Sequence, residues 1–193
     1  MNAHEYVIPI LTAVIGLVGV LVGGIIANWN NKREQRRTML QQQFSEFYGP
    51  LLALRSQIKA KSELRARLSQ LVCEEMPREL SGLPPQANGI VESEFRASDR
   101  MIDYNNRQIE QDLLPAYKEM RDLFVSKMYL AERATLPYLP ELIEFIEIWD
   151  RWMDKSLPRT ALTGVNHSEN RLYPFYDEIE EQFESLRQKL SKS

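Results

Sequence analysis

The side chains able to carry acid–base, nucleophilic or metal chemistry are few and dispersed. There are two histidines, His4 and His167, and one cysteine, Cys73. One loop imidazole makes no metal site. The di-iron arrangement of helical bundles needs Glu-x-x-His on two helices, and no such pair is present. Cys73 precedes Glu74 and Glu75, whose charges disfavour a thiolate, so it reads as a packing residue rather than a nucleophile. Glu141, Glu144, Glu147 and Asp150 recur every three residues. They could flank a substrate, but such a row on a helix is ordinarily a solvated face. Neither a GxxxxGK[ST] nor a GxGxxG motif occurs, and no strand is expected to host one.

One loop remains as a ligand candidate. Between Ser156 and Arg171 the chain sets Arg159, Thr160, His167 and Arg171 on a long connection, where two guanidinium groups and nearby hydroxyls could hold an anion. An enzyme built here would need a polar pocket beneath that loop. Asn166, His167 and Ser168 also form a glycosylation sequon, without meaning on a cytoplasmic domain. These residues do not amount to a catalytic constellation, and the expectation is a non-enzyme with neither cofactor nor metal.

The elements that would position any site begin with an apolar run. From Tyr6 to Ala27 there are 22 uncharged residues, about 33 Å as a helix, which matches a hydrocarbon core of about 30 Å. Pro9 falls in the first turn, where its missing N–H has no intrahelical partner. A cleaved signal peptide would need a basic start, yet residues 1–5 hold no Lys or Arg. A buried soluble helix seldom needs so long an uncharged run ending in a tryptophan and a basic cluster. The reading is therefore a single transmembrane helix. Trp29, Lys32, Arg33, Arg36 and Arg37 follow it, so the C-terminal domain is expected on the cytoplasmic side, with these five side chains among the lipid headgroups. Gly16, Gly19, Gly23 and Ala27 form a small-residue ridge that would let two such helices approach closely.

Beyond Asn28 the periodicity is helical and the fold class all-α: an antiparallel bundle of four or five helices following the membrane helix. Phe47, Leu51, Leu54 and Ile58, then Leu64, Leu68 and Leu71, predict one long helix over about 32–75, with Gly49 and Pro50 as a kink. A breaker-rich segment, 77–90, reads as an exposed loop. Val91, Phe95, Ser98, Ile102, Ile109 and Leu113 predict a second helix, which Pro115 either kinks or ends before Tyr117, Met120, Phe124 and Met128. Leu142, Phe145, Trp149, Trp152 and Met153 mark the next, closing near Lys155. The last carries Leu172, Tyr176, Ile179, Phe183, Leu186 and Leu190 as a coiled-coil-like seam. Charge divides the chain: residues 29–72 hold nine basic and three acidic side chains, residues 73–193 fifteen and twenty-three. The domain limits that follow are 1–28 for tail and membrane helix and 29–193 for the cytoplasmic domain. The latter comprises a basic juxtamembrane helix (29–76), the loop (77–90) and an acidic bundle (91–193). Arg55, Lys59, Lys61, Arg65 and Arg67 read as partners of the acidic helices rather than a nucleic-acid surface.

The order of apolar span, Trp29, basic run and then FSEFYGPLL from Phe44 to Leu52 resembles a loose group of uncharacterised bacterial single-pass proteins with a helical cytoplasmic domain. The resemblance covers mainly residues 6–58. It implies that architecture, a bacterial origin and a place in the inner membrane, and assigns no activity. The function expected is a membrane-anchored interaction or scaffold module that self-associates through its transmembrane helix, with membrane lipids and either a second copy or another protein as partners. The alternative is a membrane effector, for example of anti-phage defence, whose cytoplasmic domain senses a signal and whose span perturbs the bilayer.

Overall fold

A computed structural model of the chain describes residues 28–81 and 88–192. Among these the regular structure is helical throughout, which bears out the all-α class and the helical bundle. Helix α1 runs over 28–81, with a π-helical stretch at Gln43–Tyr48 between α-helical residues 28–42 and Gly49–Ser81. Helix α2 runs over 88–126 in the same manner: Asn88–Gln108 and Leu114–Ser126 are α-helical and Ile109–Leu113 is π-helical. A 3-10 turn at Met128–Leu130 leads to α3, Tyr138–Met153. Lys155, at φ 56°, turns the chain out of α3 in the left-handed conformation. A one-turn helix α4, Arg159–Leu162, and a 3-10 turn, Glu169–Leu172, precede α5, Tyr173–Ser191.

The two π-helical stretches explain how α1 and α2 pass a proline. A proline inside a helix lacks the N–H for its own turn, and its ring crowds the carbonyl four residues back. Before Pro50 the chain takes an extra residue into the turn, and the Gly49 N–H donates to Phe44 O, five residues back. Before Pro115 it does the same, the Leu114 N–H donating to Ile109 O. Neither proline ends its helix; Pro115 begins no separate one. Gly49 has a specific reason to be glycine, because a Cβ there would lie 2.7 Å from Phe44 O.

Helices α1 and α2 form an antiparallel hairpin in regular register. Asn105 Nδ2 donates to Ser69 Oγ at 3.3 Å, Lys61 pairs with Asp112 at 3.0 Å, and Lys127 with Glu46 at 2.5 Å. Against its base pack α3, on the C-terminal part of α2, and α5, on α1. The core joins Phe47, Tyr48, Leu51 and Ile58 of α1 to Leu113, Leu114, Tyr117, Met120 and Phe124 of α2. Leu142, Phe145 and Ile146 of α3 and Phe175, Tyr176, Ile179 and Leu186 of α5 complete it. Phe47 meets Tyr48 and Phe124 edge-on at 4.8 and 5.5 Å, and Phe124 stacks on Phe175 at 5.7 Å. The seam foreseen on the last helix is the buried face of α5, with Phe183 stacked on Phe44 at 4.5 Å.

Lengths dictate what lies outside the bundle. Gly49–Ser81 has 33 residues, about 50 Å of helix, whereas α3 and α5 have 16 and 19, about 24 and 29 Å. The far half of the hairpin, residues 63–81 and 88–108, therefore projects as a two-helix arm. Leu64, Leu68 and Leu71 lie on it at 55, 44 and 48% exposure, and Phe95 and Ile102 at 55 and 50%, so the stripes read from sequence as buried are surface on the arm. Cys73 is exposed there, not packed. The breaker segment is shorter than its composition suggests, since helix continues through Pro77 to Ser81 and resumes at Asn88. Among the described residues no helix is long and apolar enough to cross a membrane, and residues 6–27 lie outside them.

Candidate functional site

Where the arm leaves the bundle, α1, α2, α3 and the 167–177 segment enclose a cleft in two compartments. The outer one, about 460 Å³, is polar and lies between Arg55, Lys59 and Arg65 of α1 and Glu169, Asn170 and Asp177 opposite. The inner one, about 270 Å³, is lined by Ile109, Leu113, Tyr117, Phe145, Trp149 and His167. Ser62, Arg65, Ser168 and Glu169 border both. The π-helical turn of α2 supplies Ile109 and Leu113, so the device that carries α2 past Pro115 also shapes the inner wall. The hydroxyl of Ser168 accepts the Asn170 N–H at 3.2 Å and starts the turn that presents Glu169.

Two buried phenols line the cleft, Tyr176 in the outer compartment and Tyr117 in the inner. The Tyr117 and Tyr176 hydroxyl oxygens are 3.5 Å apart, too far for a strong bond, and Tyr176 donates to Glu169 Oε1 at 3.3 Å. Burial, reinforced by the neighbouring Glu169 carboxylate, pushes both phenols far above their ordinary range, so they act as neutral hydrogen-bonding groups. Arg55 lies over the Tyr176 ring at 5.5 Å while pairing with Glu180 at 3.0 Å. Even so, among the described residues Arg55 Nε and Ser62 Oγ are buried without a hydrogen-bond partner. Arg65 meets no carboxylate among the described residues.

The residues singled out from sequence fare differently. His167 reaches the cleft and packs edge-on against Trp149 at 6.1 Å, while its carbonyl accepts the Trp149 indole N–H at 3.2 Å. Arg171 turns away: it donates to Glu144 at 2.8 Å and to Asn166 O at 3.1 Å, tying the loop to α3. The Arg159 side chain lies outside the described residues; of the other two, only His167 borders the cleft. Three of the four carboxylates in the acidic row of α3 are ion-paired, Glu144 with Arg171, Glu147 with Arg151 and Asp150 with Lys118. Of the basic residues of α1, Arg55 and Lys61 pair with acidic helices as expected. Trp29, Lys32, Arg33, Arg36 and Arg37 stand exposed on the first turns of α1, and Gly16, Gly19, Gly23 and Ala27 lie outside the described residues.

The cleft residues missed in the sequence are Ser62, Glu169 and the tyrosine pair. Only the i, i+4, i+7 spacing of Arg55, Lys59 and Ser62, which sets all three on one helix face, was available beforehand. Comparison of the chain with protein-family models, curated proteins and solved structures finds no match in any of the three.

Proposed function

We propose that this chain is a membrane-tethered helical interaction module whose arm pairs with the arm of a second copy. The observation that carries the reading is the exposed row Leu64, Leu68 and Leu71, on the same unbroken helix as the basic cluster Lys32, Arg33, Arg36 and Arg37. Spacings of four and three are those of a coiled-coil seam, and such a row left in water is a surface in want of a partner. A second copy suits it because copies tethered by residues 6–27 in one membrane stand in the same orientation and share a thin layer. Parallel pairing of identical rows is then the natural two-fold contact, at high effective concentration. The small-residue ridge at Gly19, Gly23 and Ala27 supports the same symmetry within the bilayer. Trp29 and the four cations, all exposed, suit the headgroup layer at its inner face. In this reading the activity is binding rather than turnover.

The test uses the full chain in native membranes. After ultracentrifugation the protein is expected in the pellet, and its recovery in the supernatant refutes the tether. With Cys73→Ser as background, Leu68→Cys is expected to form a disulfide-linked dimer on mild oxidation. Leu64→Glu with Leu71→Glu should suppress it, and Gly19→Leu with Gly23→Leu should weaken it. Absence of the Leu68→Cys dimer in membranes that contain the protein refutes the arm pairing.

A further inference from the structure

The cleft at the root of the arm has an imbalance that no other described residue corrects. Ser62 is 9% exposed, and its hydroxyl has no partner among the described residues. Arg55 keeps one N–H toward Glu180, yet its Nε is buried and unmatched. Arg65 borders both compartments with no carboxylate to meet among the described residues. Buried polar groups are almost always satisfied, so those left open in a cavity mark where a ligand or ordered solvent completes them. Arginine offers only donors and serine can supply one more, so the missing component is an acceptor. Three carboxylates line the outer compartment: Glu169 accepts the Tyr176 O–H on Oε1, Glu63 lies 3.8 Å from Lys59, and neither these nor Asp177 bonds Ser62 or Arg65 among the described residues.

Adjoining these donors, the inner compartment offers the opposite chemistry. Trp149, Phe145, Ile109 and Leu113 give it aromatic and aliphatic walls. At about 270 Å³ it exceeds the roughly 150 Å³ cavity in which a benzene ring is known to fit. A recess of this size with a few polar groups at its mouth is the usual form of a small-molecule site. We propose that the cleft binds a small organic anion: a phosphate or carboxylate head that accepts from Ser62, Arg65 and Arg55 Nε, and an aromatic group of one or two rings seated against Trp149 and Phe145. The site stands on the bundle alone and holds whether or not residues 6–27 cross a bilayer.

Calorimetric titration of the full chain in uncharged detergent tests it with four probes. Phenyl phosphate carries both halves, inorganic phosphate only the anion, phenol only the ring, and dioctanoyl phosphatidate presents the same anion on a lipid. Phenyl phosphate is expected to bind saturably, with inorganic phosphate and phenol each weaker by about tenfold or more, since both compartments contribute. Arg65→Gln, at a partly exposed position, should weaken phenyl phosphate about tenfold, and Ser62→Ala by a few-fold. Arg151→Gln, paired with Glu147 outside the cleft, should leave it unchanged. Three results overturn the proposal: no saturable binding of phenyl phosphate, equal binding by wild type and Arg65→Gln, or tighter binding of the phosphatidate than of phenyl phosphate. The last would assign the cleft to lipid.

Discussion

Leu51, Leu54 and Ile58 recur along α1 with spacings of three and four, and so do Leu64, Leu68 and Leu71 one or two turns later. Leu51 and Ile58 are sealed and Leu54 is half-buried, while the later three are near half exposed. Nothing in the helix itself changes between them. What changes is the company: α5 packs on the first part of α1 and α3 on the facing part of α2, and both are too short to follow the hairpin outward. An apolar stripe states that a helix face wants cover; the lengths of other elements decide whether the cover comes from the same chain. The bundle is thus a self-sufficient core, and the arm is a face left for something else. The cleft lies at the boundary, where α3 and α5 give out.

The sharpest way to break this contrast is a pair of truncations. Phe47→Ala removes a ring that is fully buried among Tyr48 and Phe124, and should cost about 3–5 kcal/mol in chemical denaturation of the full chain in detergent. Leu68→Ala, on the arm, should stay within about 0.5 kcal/mol at dilutions where copies are apart. Comparable costs would mean that the arm is as tightly packed as the bundle.

Gly49→Ala comes next. The added Cβ would meet Phe44 O at 2.7 Å, backbone that cannot swing aside, and the expected loss is about 1–3 kcal/mol. Leu114 carries a side chain at the matching place before Pro115, so the tightness belongs to this turn and not to π geometry in general. A neutral Gly49→Ala would show that the turn of α1 has room to relax and is not held between Phe44 and α5.

Tyr48→Phe probes the polar clamp that closes the bundle beneath the 127–137 connection. The Tyr48 hydroxyl accepts the Glu132 N–H at 2.9 Å and lies 2.8 Å from Thr135 Oγ1, which donates to Glu178 at 3.1 Å. Gln43 adds a bond to Leu130 O at 2.9 Å. Removing the hydroxyl strands the half-buried Glu132 N–H and leaves the fully buried Thr135 with its bond to Glu178 alone, at a cost of about 1–3 kcal/mol. A neutral result would place water in the clamp.

How much of this was legible in the sequence follows the same boundary. The stripe on α5 reads directly, because α5 is covered along its length and its pattern had one meaning. The stripes on the arm misled, because Leu68 and Phe95 look like Leu51 and Phe124 until the reach of α3 and α5 is known. Pro50 and Pro115 announced a disturbance. Its form, an extra residue in the turn, depends on Phe47 and Tyr48, or Leu113 and Leu114, being anchored in the core before each proline. Of the cleft, the sequence singled out Arg55, Lys59 and Arg65 only as basic residues, and Ser62, on the same helix face, went unread. Tyr117, Glu169 and Tyr176 come from segments far apart in the chain, and no local spacing links them. Arg171 looked like a ligand because a loop arginine can serve an anion; Glu144, on another element, had already supplied one.

That last pair gives the mildest prediction. The Arg171 guanidinium, by its hydrogen bond and its charge, holds the Glu144 carboxyl below its ordinary value of 4.5. A carboxylate depressed in the folded state contributes stability above its unfolded pKa and loses that contribution as pH falls through its folded value. The loop from Ser156 to Arg171 should therefore stay fastened at neutral pH and loosen only below the ordinary carboxylate range. The effect will be small because Glu144 is exposed and screened by water. Trp149 reports it, since its indole N–H donates to His167 O within that loop. Its indole resonance should shift in acid in the wild type, and in Glu144→Gln the loop should already be loosened at neutral pH with that acid step gone. An identical acid step in both proteins would mean that the loop is held by the packing of His167 on Trp149 rather than by its ion pair. The cleft wall would then belong with the apolar bundle and not with the adjustable surface beyond it.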